Sequence, residues 1–139
     1  MMNTKLYKVV LNLAGELVEA AQRKDQKRFD MLYKQLATLC TDNENTPKDH
    51  PVQWETLADF TDEFADAITL YEKALVKATA INAKDYMSSI SYSLATMHVE
   101  LGQIDEAIIA LESAKVSANK IADKELKAEI DTLLADLQN

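Results

Sequence analysis

The chain resembles itself when shifted by forty residues. Laid over 104–139, the segment 64–99 matches at Ala67/Ala107, Ile68/Ile108, Glu72/Glu112, Ala74/Ala114, Val76/Val116, Ala78/Ala118, Ile81/Ile121, Lys84/Lys124, Ile90/Ile130, Leu94/Leu134 and Ala95/Ala135. A period in this range marks a supersecondary unit, a pair of helices unable to bury its apolar faces alone, stacked on copies of itself until the core is continuous. Stacks of that kind work mostly by binding other proteins.

The length of 139 residues suits one domain and lets the chain bury about two-thirds of its unfolded surface. Two Gly and two Pro leave little material for the tight turns of an all-β fold, so the expectation is all-α. Cys40 is the single cysteine, which rules out an intrachain disulfide framework and a multi-cysteine metal cage. Beside Leu36 and Leu39 on an apolar helical side, it reads as a buried, inert thiol. A net charge of −8 and a pI near 4.7 argue against nucleic acid, whose phosphates need clustered Lys and Arg. The basic cluster Arg23, Lys24, Lys27 and Arg28 is broken by Asp25 and falls at a helix junction, as solvated charge does. No apolar run reaches the length of a membrane span, and the segment from Lys5 to Val18 is interrupted by Asn12 and Glu16 with no cleavage signal after it. A cytoplasmic protein is expected.

Leu6, Val9, Val10, Leu13, Leu17 and Ala20 recur at three- and four-residue steps, which predicts an amphipathic helix from Thr4 to Gln22. Phe29, Leu32, Tyr33, Leu36 and Cys40 predict a second from about Asp25 to Thr41, folded back by the short Arg23-Lys24 connection. Asp42 to His50 has no apolar residue and reads as the one substantial loop. Pro51 suits a first helical position, and Trp54, Leu57, Ala58 and Phe60 supply the buried side of a short helix to about Asp59. Phe64, Ala67, Ile68, Tyr71, Ala74, Leu75 and Ala78 make the next, expected to run past Ala80, with Ile81 to Asp85 as the turn. Tyr86, Ile90, Leu94, Met97 and Leu101 follow, then Gly102 where a left-handed cap is wanted. Ile104, Ala107, Ile108, Leu111, Ala114 and Ala118 complete that pair. Leu126, Ile130, Leu133, Leu134 and Leu137 form a last helix, whose Lys124, Glu125, Lys127, Glu129 and Asp136 are expected to keep its outer side wet. The expected organisation is one domain over 1–139 with pairs at 4–41, 51–81 and 84–121 and a capping helix at 124–138.

The third pair resembles a tetratricopeptide repeat. Leu94-Ala95, His98, Gly102, Ala107, Leu111 and Ala114 stand at the steps where that pattern wants a large apolar residue, a small one, an aromatic, Gly or Asn, Ala, an aromatic and Ala. The second pair matches at Trp54, Ala67, Tyr71 and Ala74, but Glu55 stands where the small residue belongs; Leu134 and Ala135 restart the pattern in the last helix. The first pair matches weakly, with Tyr33 at the aromatic step and Phe29 where Ala is usual. Two features depart from the family. The period is forty rather than thirty-four residues, which predicts second helices longer by about a turn, and Thr79 and Asn119 replace the usual closing proline. The resemblance implies an α-α superhelix of about three hairpins plus the capping helix.

Catalytic chemistry finds no foothold. His50 falls in the loop and His98 at a helix packing position, with no third ligand at metal spacing. Gly15 and Gly102 stand alone rather than in a phosphate loop, and Asp62, Glu63, Asp66, Asp105 and Glu106 fall at helix starts, where the macrodipole favours them. No cofactor, metal or enzymatic activity is expected.

The resemblance instead implies a concave groove lined by first helices, in which peptides or partner helices lie. By position it nominates Gln53, Thr56 and Phe60, then Ser89, Tyr92, Ser93, Thr96 and Glu100, and Thr132 and Asp136 from the last helix. Tyr92 and Phe60 are candidate anchors. Relatives that hold a C-terminal carboxylate place Lys, Arg and Asn here; Tyr92, Ser93 and Thr96 offer no such clamp. The expectation is a non-enzymatic module binding another protein, as a peptide or amphipathic helix, with the acidic rim favouring a basic partner. Three alternatives stay open: an acidic chaperone of the secretion type, a self-assembling scaffold whose groove or first hairpin is filled by a second copy, and, least favoured, an enzyme or ligand sensor using a pocket between repeats.

Overall fold

A computed structural model describes residues 3–139. Among them are seven helices: α1 (Thr4–Gln22), α2 (Gln26–Asp42), α3 (Pro51–Asp59), α4 (Phe64–Ala80), α5 (Lys84–Glu100), α6 (Ile104–Ala118) and α7 (Lys124–Gln138). Each packs on the next in order, and α3 also packs on α1 and α5, so first helices lie beside one another while α2, α4 and α6 sit behind them.

Three of the connections use one device. After α1, α4 and α5 the chain turns through a residue in the left-handed region, Lys24 (φ 57°), Asn82 (φ 53°) and Gly102 (φ 73°). The following amide closes the helix end by donating back, Asp25 to the Ala20 carbonyl (2.9 Å), Ala83 to Ala78 (3.0 Å) and Gln103 to His98 (2.8 Å). These are Schellman closures. Asp25, Ala83 and Gln103 then serve at once as the N-caps of α2, α5 and α6. α4 accordingly stops at Ala80 instead of continuing, and the turn is Ile81 to Ala83. The extra residues of the forty-residue period are not confined to second helices either: the first helix α5 has 17 residues, as does α4, while α6 has 15.

Alanines set how closely the helices approach. Ala67, Ala74 and Ala78 of α4, Ala95 of α5, and Ala107 and Ala114 of α6 are fully enclosed. Leu17, Leu36, Ile90, Leu111 and Ile130 fill the intervening space.

Residues 43–50 are fixed despite having no apolar side chain. The Asp49 carboxylate accepts from the Asn45 amide (2.8 Å), Trp54 Nε1 (2.8 Å) and Lys77 Nζ (2.7 Å). Lys73 and Lys77 stand 4.4 and 5.5 Å from the Trp54 ring centre, and Lys73 also meets Glu44 at 2.7 Å. Burial alone raises the Asp49 carboxyl; the hydrogen bonds from Lys77, Asn45 and Trp54 outweigh it and hold the group below its ordinary value.

Candidate functional site

The structure brings three of the ten nominated groove residues together and scatters the rest, with Ser89 against Glu55 and Ser93 half-buried on α5. Gln53 does not reach the surface: it is 2% exposed, and its Nε2 donates to the Lys48 carbonyl at 2.8 Å, which holds the 43–50 loop. Nine residues of α3 must both start at Pro51 and seat Trp54, which turns Gln53 inward. Phe60 caps the end of α3 and meets Phe29 edge-on at 6.3 Å, so it joins α2 to α3 more than it faces solvent. The Thr56 hydroxyl returns to the Val52 carbonyl (2.6 Å), as Thr96 returns to Ser93 (2.6 Å). Glu100 ends α5 in solvent.

Tyr92, Thr132 and Asp136 do come together. They line a cleft of about 520 Å³ between α5 and α7, with Glu125, Ala128, Glu129 and Leu133. Positions 125, 128, 129, 132, 133 and 136 form one stripe of α7, while Ile130 is buried among the core residues. Glu125 and Glu129, assigned by pattern to the wet outer side, are exposed as expected, on the face of α7 that meets Tyr92. Burial first, then the Glu129 carboxylate, holds the Tyr92 phenol above its ordinary value.

Between α3 and α5 the sequence reading missed the principal polar groups. Glu55 is mostly enclosed and accepts from Ser89 Oγ at 2.9 Å. Burial raises its carboxyl to about 7; the Ser89 hydrogen bond opposes the shift, and the charges of Asp59 and Asp85 add to it. One turn further, Asp59 accepts from Tyr71 OH at 2.5 Å. Burial raises Asp59 too, against the effect of that hydrogen bond, and burial and Asp59 together raise Tyr71. At the N-terminal ends of these helices, Tyr86 meets the His50 ring edge-on at 5.1 Å, and its phenol is pushed up to about 12 by burial and then by Tyr7, Glu55 and Asp85. The signal for Glu55 was present in its place at a position that normally takes a small residue.

The inner helices share a charge pattern. α3 has no Lys or Arg, α5 only Lys84 at its first position, and α7 only Lys124 and Lys127 in its first turn. Among the described residues no group of three or more His, Cys, Asp or Glu is placed to hold a metal ion, and no helix is long and apolar enough to cross a membrane.

The fold resembles that of PcrH. The crystal structure of PcrH from Pseudomonas aeruginosa matches with a TM-score of 0.61 at 19% identity, covering 95% of this chain and 93% of that one. PcrH in complex with the chaperone binding region of PopD matches with the same score and identity, covering 99% and 94%. No protein-family model and no curated protein matches the chain. Agreement over nearly the whole of both chains at this identity establishes a shared architecture, an all-α stack of the tetratricopeptide-like kind.

Proposed function

We propose that this protein is a non-enzymatic binding module that holds a segment of another protein, extended or helical, along the inner face of α3, α5 and α7. The observation that carries this reading is the open cleft between α5 and α7, where Tyr92 and Leu133 offer apolar surface beside the carboxylates of Glu125, Glu129 and Asp136. A preformed face of this kind lowers the ordering cost of binding. The surplus of acid on the chain adds long-range steering of a basic partner.

A chaperone role is the second reading, favoured by the likeness to PcrH, which is known bound to the chaperone binding region of PopD. Here the bound segment would be an aggregation-prone part of a client. Self-assembly is a third, favoured by Val9, Leu11 and Val18 of α1 and Met31 of α2, which all stand exposed on the first hairpin.

Affinity capture from the source organism tests the first reading, comparing the wild-type chain with Tyr92→Ala, Thr96→Arg. A protein retained by the first and lost by the second supports the inner face; equal retention refutes it. Loss of soluble client when the protein is withdrawn distinguishes the chaperone from a passive adaptor, and a monomer that persists at all concentrations in light scattering removes self-assembly.

A further inference from the structure

We propose that the α5/α7 cleft selects for a cationic amphipathic segment, seating an apolar side chain on Tyr92, Ala128 and Leu133 and placing Lys or Arg against Glu125, Glu129 and Asp136. This rests on the reading of the inner face as a binding surface and adds the chemistry of its occupant. It makes Glu125 and Glu129 the specificity-determining residues.

Three observations carry it. The cleft sets the half-buried Tyr92 and Leu133 beside exposed carboxylates, and among the described residues no Lys or Arg lines it. Three acids elsewhere are held by a cation: Asp49 by Lys77, Glu44 by Lys73, and Asp131 of α7 itself by Lys115 across the opposite side of that helix. Among the described residues Glu125, Glu129 and Asp136 form no ion pair, although Lys124 is adjacent to Glu125 and Lys127 is two residues from Glu129.

The geometry of the stripe defines the partner. Glu125, Glu129 and Asp136 lie at one-turn and two-turn steps along α7, with Ala128, Thr132 and Leu133 between them. A segment that alternates apolar and basic side chains at helical spacing matches both rows at once. One bearing acids meets three like charges, a repulsion that excludes it.

Three labelled peptides of about fourteen residues test this, with leucines at identical helical positions and with lysine, glutamine or glutamate at every polar position. Their binding is measured by fluorescence anisotropy at physiological salt. The lysine peptide is expected to bind about tenfold tighter than the glutamine peptide, and the glutamate peptide not at all. Glu125→Gln, Glu129→Gln should bring the lysine peptide to the level of the glutamine peptide while leaving the latter unchanged. The matched variant Glu106→Gln, Glu112→Gln, which removes two exposed acids from α6, should leave the lysine peptide within about twofold of wild type.

Equal losses from the α6 and α7 variants would overturn the proposal in favour of general charge attraction. Equal binding of the lysine and glutamine peptides, both abolished by Tyr92→Ala, would overturn cation selection and leave the inner-face reading standing. Failure of every peptide to bind would overturn both.

Discussion

A carboxyl group at position 55 makes the fold pay a pH-dependent cost. Its folded value near 7 lies above the ordinary 4.5, so the native state holds its proton more tightly than the unfolded chain does. The group favours folding most below its unfolded value, and that benefit is lost as pH rises through about 7. Full ionisation of Glu55 removes up to about 3 kcal/mol of stability. Glu55→Gln, whose amide oxygen still accepts from Ser89, should therefore raise the melting temperature at pH 8 and flatten its dependence between about pH 5 and 7. A profile unchanged by the substitution would refute the assignment. The opposite sign is expected at Asp49, whose pairing with Lys77 is partly buried. Lys77→Met leaves that carboxylate without its cation and should cost about 2 to 3 kcal/mol in urea unfolding. Cys40 is fully buried, donates to the Gln53 carbonyl at 3.3 Å and is pushed up to about 12 by burial. It should resist thiol reagents in the native protein and react on unfolding. The pattern around Leu36 and Leu39 made this thiol legible in advance. Gln53 was not legible, because its inward turn depends on a loop carbonyl that no periodicity encodes.

Helices are where sequence and structure agree best. Apolar residues at three- and four-residue steps, Pro51 and Gly102 mark starts and stops that the backbone honours, since each is a local signal. The end of α4 was harder to read, because Asn82 does the work of glycine there and asparagine is a weaker marker of a left-handed turn. Lys24 is weaker still. A lysine at φ 57° carries strain that glycine would not, so Lys24→Gly should stabilise the protein by about 0.5 to 1 kcal/mol in the same unfolding measurement, after the entropic cost of glycine is subtracted. α7 illustrates the limit of helix-level reading. Its spacing gave its length, but which acids face α5 depends on its rotation about Ile130, a long-range property. With Ile130 as its one fully buried side chain, α7 should be the least protected second-half helix in hydrogen exchange, and Ile130→Ala should expose its amides before those of α5 and α6.

At the scale of the whole molecule, a common turn geometry does more than join helices. Because Asp25, Ala83 and Gln103 each finish one helix end and begin the next helix, these connections contain no spare residue. One inserted residue would rotate the following helix by about 100° about its axis and turn buried alanines toward water. Surface loops ordinarily absorb such insertions; here three of them would not, and the pinned 43–50 loop resists for a different reason, its side-chain bonds to Trp54 and Lys77. The connection between α6 and α7, 119–123, keeps neither constraint. It is the place where a reporter could be spliced into the chain, or a new chain end opened, with the preceding stack left intact.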